Sequence, residues 1–356
     1  MYSFKKNFLL TLLVILFNQR KSSFLFSVII SIYNTGRYLD DSIGSLINQT
    51  IGYEKIQIIL INDGSTDDSE KICLKYKELY KSNIEYIKIN HSGVSIARNI
   101  GLKYTKGLYI NFLDSDDKWD IKAFYYVHIF FKMNTNINLV GCRFKYFELL
   151  NKYHFLDYKF YKTRKVNLTK EYDCIQLSAS SSFFRASKIK GKYFEKDIFS
   201  GEDIRFIYNL IIFNPIIGMI KEAIYYYRKR ADSSSAMQNT EQNINFYFWT
   251  IENVHEYIVH QSIKIYNTIL PFIQFFIAYE MLFRIEAKTF QFLEFRNYKR
   301  YCKVVEKYIN KVEDKYILEQ RIFPSKLKIL ALSKKYNFDI RKLISFRNGY
   351  LLYDNY

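Results

Sequence analysis

The sequence predicts an α/β fold: a mostly parallel sheet with helices on both faces, followed by a helical C-terminal region. Two observations carry this. Runs of β-branched and aliphatic residues alternate four times with segments of helical period between Phe24 and Leu113, the pattern of parallel strands joined by right-handed helical crossovers. From Phe246 onward the alternation stops. Aromatic-rich helical periods follow at Phe246–Ile265 and Ile273–Phe295, then a charged helix at Tyr298–Lys315, punctuated by Pro271 and Pro324.

The first strand is Phe24–Ile32, apolar at consecutive positions and therefore buried on both faces. Leu39, Ile43, Leu46 and Ile47 then recur at helical spacing. Ile56–Ile61 is the second strand, ending in the turn cluster Asn62-Asp63-Gly64-Ser65-Thr66, where Ser65 or Thr66 is expected to cap the next helix. That helix buries Ile72, Tyr76 and Leu79. Ile84–Ile89 is the third strand. His91-Ser92-Gly93 turns the chain into the helix Val94–Gly101, and Leu108–Leu113 is the fourth strand.

The fourth strand runs into Asp114, Asp116 and Asp117. Acids packed this closely at the end of an apolar strand repel one another and resist burial. They serve either as ligands of a hard cation, Mg²⁺ or Mn²⁺, which takes one or two carboxylates plus substrate phosphates, or as an acidic turn before a helix. If strand geometry persists, Asp114 and Asp116 face the same side. Ligands in such sheets sit beyond the carboxyl ends of the strands, and Tyr33-Asn34, Asn62-Asp63 and Asp114-Ser115-Asp116 all fall there.

Composition bounds the partners. The net charge of +18 is uneven: residues 1–120 hold 15 Lys and Arg against 13 Asp and Glu, and the remainder holds 38 against 22. Such a field favours a nucleotide, an acidic polymer or an anionic membrane surface met by the basic C-terminal region. No zinc-finger spacing or other nucleic-acid module is present, so nucleic acid is not an expected partner. Cys73, Cys142, Cys174 and Cys302 are scattered without a C-x-x-C pair, which fits a reducing cytoplasm. The apolar run Phe8–Phe17 is too short to span a bilayer. It reads as a packed helix or interfacial anchor, as a disordered extension, or as the start of an export signal. The expected units are residues 1–23, 24–238 and 239–356.

The motifs Ser27–Asn34, Ser45–Thr50, Ile61–Asp67, Gly93–Asn99, Phe112–Asp117 and Gly201-Glu202-Asp203 occur in one order and spacing. Together they resemble family 2 glycosyltransferases, from about Phe24 to Ser235. The resemblance implies a GT-A nucleotide-binding fold and an inverting, metal-dependent transfer from a nucleoside diphosphate sugar, most simply a UDP-sugar, to a cell-surface glycan or lipid-linked acceptor.

The same resemblance implies residue roles. Ser31 and Tyr33 lie at the donor, Tyr33 stacking on the base. Asp63 accepts from a base N–H; its bland reading is a helix cap. Arg98 borders the nucleotide, at the base edge or the diphosphate. Asp116 ligates Mg²⁺ or Mn²⁺ directly, and Asp114 supports it through the ribose or a water. Asp117 is expected to cap a helix starting near Trp119. Ser178–Phe184 is a small-residue strand near the acceptor. Asp203 is the general base, with Glu202 the neighbouring candidate. Tyr225–Ser235 closes the site against the phosphates or is a solvated basic turn.

Two departures stand out: Asn62 replaces an acid common in the family, and Ser31-Ile32 replaces a proline-containing pair. The expected site is on the cytoplasmic side, peripheral to the membrane, with oligomers allowed. The rival readings are a non-catalytic sugar-nucleotide or polysaccharide-binding module and a membrane-surface interaction protein.

Overall fold

The computed structural model describes residues 24–198, 200–230, 244–286, 295–337, 344–347 and 350–353. The apolar run Phe8–Phe17, the Ser233–Ser235 end of the closing segment and the boundary expected at residues 238 and 239 lie outside the described residues.

Strand β1 (Phe26–Ile32) leads through helix α1 (Gly36–Ile47) to β2 (Ile56–Asp63). Helix α2 (Ser69–Leu79), β3 (Ile84–Ile89), α3 (Val94–Leu102) and β4 (Tyr109–Asp114) follow. These four strands are parallel, in the order β3-β2-β1-β4. Next come the two-residue strand β5 (Lys118–Trp119), helix α4 (Ala123–Met133), β6 (Leu139–Glu148), β7 (Arg164–Asn167) and β8 (Ser182–Arg185). A one-turn helix α5 (Ala186–Ile189) and helix α6 (Glu202–Ile211) precede the long strand β9 (Ile216–Lys229). β8 pairs antiparallel with β4 and β6, β6 runs parallel to β9, and β5 and β7 pair antiparallel with β9.

Among the described residues these strands form one mixed sheet with helices on both sides. The first half has the parallel order read from the alternation. The second half turns antiparallel over short registers: β8 meets β4 only at Tyr109–Asn111, too few residues for a hydrophobic period to reveal. Ser178–Ser181, expected in a strand, is instead a tight loop whose Ser178 carbonyl accepts from Ser182 Oγ at 2.7 Å.

The consecutive apolar positions are used on both faces. Val28, Ile30 and Ile32 pack with Leu39, Ile43 and Phe124 on one side; Ile29, Ile59 and Ile61 pack with Ala97 on the other. Gly107 lets the chain cross the start of β1. A Cβ there would lie 2.5 Å from the backbone of Phe26 and Ser27. Its N–H donates instead to Ser27 Oγ at 2.8 Å.

The C-terminal region is helical: α7 (Ile244–Tyr247), a π-helical turn at Ile251–His255, α8 (Glu256–Tyr266), α9 (Pro271–Glu286), α10 (Phe295–Ile309), α11 (Asp314–Leu318) and α12 (Ser325–Tyr336). A hairpin of β10 (Ile344–Arg347) and β11 (Tyr350–Tyr353) follows. Helix α9 is buried nearly all round, through Phe272, Phe275, Phe276, Ile277, Ala278 and Met281 among others, so it is the centre of this region rather than a surface helix. Tyr208 of α6 packs on Phe272 and Phe276 at 5.7 and 4.9 Å. One continuous hydrophobic cluster therefore joins the sheet, α6 and the helical region. Among the described residues no helix is long and apolar enough to cross a membrane.

Phe112 of β4 is fully buried and meets Phe194 and Phe206 edge-on at 4.9 and 5.8 Å. Phe112→Ala is expected to destabilise the protein by about 3–5 kcal/mol, the cost of deleting a large buried side chain. A lowered urea midpoint at unchanged slope measures it.

Candidate active site

Strands β1, β2 and β4 end side by side, with Ser31 opposite both Ile61 and Asp114. Ser31 Oγ is buried and has no hydrogen-bond partner among the described residues. Two strand ends are stapled together just beyond. Asn34 sits at φ +51°, a left-handed conformation that Asn tolerates. Its N–H donates to Ser65 Oγ at 3.1 Å and its Oδ1 accepts from Thr66 N at 2.8 Å. Asp67 accepts from the N–H groups of Gly36 and Ser69 at 2.9 and 3.0 Å. Ser65 and Thr66 therefore do not cap α2, whose N-cap is Asp68 without a side-chain bond; their hydroxyls and amides are spent on the β1–β2 junction.

Asp63 closes β2. Its two oxygens accept from Ser92 N and Gly93 N at 2.7 and 2.9 Å, and Oδ2 lies 3.0 Å from His91 Nδ1. Gly93, at φ +89°, makes that turn and is the N-cap of α3. Tyr33 is 46% exposed and stacks on His91 with centroids 4.0 Å apart and planes at 20°. The rim of the site thus presents a flat aromatic face, while the Asp63 carboxylate is buried and tied to the Ser92–Gly93 turn.

The deeper part is organised by Arg98 of α3, whose side chain is buried. Nη2 donates to Asp114 Oδ1 at 3.0 Å, and Nη1 donates to Asp203 Oδ1 at 2.7 Å and Glu202 Oε1 at 3.3 Å. Asp114 Oδ2 accepts from Ser180 Oγ and Asp203 Oδ2 from Ala179 N, both at 2.8 Å. Glu202 and Asp203 open α6 and follow Gly201, which sits at φ +89°. Burial works against the charge on Arg98, but Asp203, Asp114 and Glu202 outweigh it and raise its pKa. Burial, then the neighbouring Asp203, pushes Glu202 up to about 7. Burial also raises Asp203, against the pull of Arg98.

Asp116 is set apart. Strand β4 ends at Asp114 and the chain turns, with Asp117 N donating to Asp114 O at 3.0 Å, so period-two geometry does not reach Asp116. Its Oδ2 accepts from Arg230 Nε at 2.8 Å. Burial raises its pKa even though Arg230 pulls the other way. Asp114 has both oxygens engaged, whereas Asp116 is a desolvated carboxylate at a turn whose charge is met by a cationic side chain. A hard cation completed by phosphate oxygens would have to share Asp116 with Arg230. Among the described residues no three metal-ligating side chains gather.

Asp117 corrects an expectation. No helix begins near Trp119; Lys118–Trp119 is β5 and α4 starts at Ala123. Asp117 is fully buried and bolts the turn to β9, accepting from Tyr225 OH at 2.6 Å and Arg228 N at 2.7 Å. Arg228 Nε in turn donates to Asp116 O at 2.7 Å. The basic segment after Tyr225 thus faces inward at Arg228 and Arg230 rather than into solvent. Sequence reasoning took Asp117 for a helix cap and missed its bond to β9; the small-residue run Ser178–Phe184, expected near the acceptor, supplies Ser180 Oγ to Asp114 and the Ala179 N–H to Asp203.

Residues 27–190 match the family model described as Glycosyl transferase family 2. The chain is 35% identical over 308 residues to Minor teichoic acid biosynthesis protein GgaB of Bacillus subtilis, covering 85% of this chain and 34% of that protein. It is 35% identical over 262 residues to Minor teichoic acid biosynthesis protein GgaA of the same organism, covering 72% of this chain and 59% of that protein. The chain thus spans about a third and about three fifths of these two curated relatives. Among solved structures, S. aureus TarS 1–349 in complex with UDP-GlcNAc shares the fold with a TM-score of 0.66 at 20% identity, covering 92% of this chain and 96% of that one.

A carboxyl whose pKa is about 7 folded and 4.5 unfolded binds its proton more tightly in the native state. Its contribution to stability is complete below pH 4.5 and is lost as pH rises through about 7. Glu202→Gln is therefore expected to gain stability relative to the parent at pH 8 compared with pH 5. Urea unfolding at both values measures this, and a pH-independent difference contradicts it.

Proposed function

The chain belongs to glycosyl transferase family 2, and from that premise we propose that it moves a sugar from a UDP-sugar to a hydroxyl of a cell-envelope glycan or glycolipid precursor, inverting the anomeric carbon. The observation that carries the reading is the Arg98 bridge. One buried guanidinium holds the end of β4, through Asp114, against the acid pair that opens α6, which supports a reading in which donor and acceptor meet there. The UDP-GlcNAc complex of a protein with this fold supports the donor class, and the two teichoic acid biosynthesis relatives support an envelope acceptor.

In this mechanism the half-exposed Tyr33 ring stacks on the base and Asp63 faces its polar edge. Asp203 is the general base. Its two oxygens are oriented by Arg98 and the Ala179 N–H, which favours its charged form, while Glu202 retains a proton near neutrality. Asp203 takes the proton of the acceptor hydroxyl as that oxygen attacks C1 and the nucleoside diphosphate leaves. The transition state is oxocarbenium-like, and no covalent enzyme nucleophile is needed. Asp116 is the residue that would hold Mg²⁺ or Mn²⁺, with Asp114 in support; the cation, when bound, supplies charge neutralisation for the leaving diphosphate. Arg228 and Arg230 place further positive charge at the same turn.

Asp203→Asn is expected to lower UDP release from UDP-sugars by about 10²–10⁴-fold with UDP affinity retained, whereas Asp116→Ala is expected to weaken metal-dependent UDP binding itself. A donor screen with Mn²⁺, followed by calorimetry with UDP, separates the two effects. If no UDP-sugar is hydrolysed or transferred and Asp116→Ala leaves nucleotide binding untouched, the enzyme reading gives way to a non-catalytic binding or membrane-surface protein.

A further inference from the structure

The reading above asks two contacts of a nucleobase: its ring lies on Tyr33, and an N–H on its edge points at Asp63. In this structure a side chain of the protein makes both. The His91 ring stacks on Tyr33 with centroids 4.0 Å apart and planes at 20°. Its Nδ1 lies 3.0 Å from Asp63 Oδ2 and 3.2 Å from Asp63 O. Both of these neighbours are acceptors, which assigns the ring proton to Nδ1. An imidazole in this pose offers a flat ring with an N–H at its edge, the same two features that uracil offers.

Base and imidazole compete for the same place. A carboxylate oxygen accepts about two hydrogen bonds. Asp63 Oδ2 already accepts from Gly93 N at 2.9 Å, so one place is left, and His91 faces it. The stacked pose likewise covers one face of Tyr33. His91 is also the member of this group that is free to leave. Its side chain is 56% exposed, against 4% for that of Asp63. Asp63 keeps its orientation without it, because Ser92 N and Gly93 N are backbone donors. The turn therefore stays tied to the end of β2 when the imidazole swings out.

We propose that His91 is an internal stand-in for the nucleobase: it covers Tyr33 and Asp63 until the base of the donor nucleotide displaces it. The proposal rests on the transferase reading above and adds to it the residue that sets nucleotide affinity. A side chain that must leave first lowers the apparent affinity by the fraction of molecules in which it has left. The first test is calorimetry with UDP on the full chain, parent against His91→Ala. The variant is expected to bind UDP about tenfold more tightly. Equal affinity overturns the proposal, and so does weaker affinity, which makes His91 a contact of the base instead. The second test needs no variant to bind anything. The chain has five histidines, so the imidazole NMR signal missing from His91→Ala identifies His91 in the parent. Stacking on Tyr33 shifts that signal upfield, and saturating UDP is expected to return it towards the position of an exposed histidine. A signal that UDP binding leaves in place overturns the exchange. UDP-sugar hydrolysis on the same samples keeps the two readings apart. Intact hydrolysis with no gain of affinity in His91→Ala removes the role of His91 only. No UDP binding and no hydrolysis in either protein removes the transferase reading, and the exchange with it.

Discussion

A single buried guanidinium holds this site together. Arg98 is buried, so its charge must be met by protein groups, and the groups that meet it come from separate parts of the chain: Asp114 from the end of β4, and Glu202 and Asp203 from the start of α6. The three carboxylates would repel one another without it. With it, each has a defined orientation, while burial and then the neighbouring Asp203 push the pKa of Glu202 up to about 7. The geometry of the acid cluster and the tie between α3 and α6 thus follow from one electrostatic constraint.

The turn after β4 is held by a separate device. Asp117 is buried against β9 and ties the turn to Tyr225 and Arg228. That bond brings the Arg228–Arg230 segment over Asp116, so the basic residues that end β9 converge on the acid that follows β4. Behind the sheet, α6 is clamped from the other side by the helical region, through Tyr208 on Phe272 and Phe276. A helix that carries the proposed base at its first turn is in this way fixed at both faces. The C-terminal helices therefore support the site mechanically, whatever they bind.

Much of this was legible from residue order. Four β-branched runs with helical periods between them dictate parallel strands, and parallel strands place Tyr33, Asp63 and Asp114 at one edge. Apolar side chains at consecutive positions, as in Val28–Ile30, have to be buried on both faces, and they are. The identity of the acids at 114, 116, 202 and 203 was likewise evident, because carboxylates at strand ends and helix starts stand out against an apolar background.

What residue order could not supply was the pairing. Asp114 and Asp116 look alike in sequence, yet one is bound by Arg98 and Ser180 and the other by Arg230. Asp117 read as a helix cap and is a buried bolt. Arg98 read as bordering the nucleotide, and nothing in residue order announced its three acid partners, Asp114, Glu202 and Asp203. Strands β5, β7 and β8 are too short for periodicity to announce them. Local pattern is set by side-chain chemistry and backbone period, both properties of neighbouring residues, so the sequence alone determined the parallel core and the roster of acids. Which cation each acid meets depends on contacts between residues 16 to 114 positions apart in the chain, formed only where burial forces charges to find partners, and that was decided by the tertiary structure.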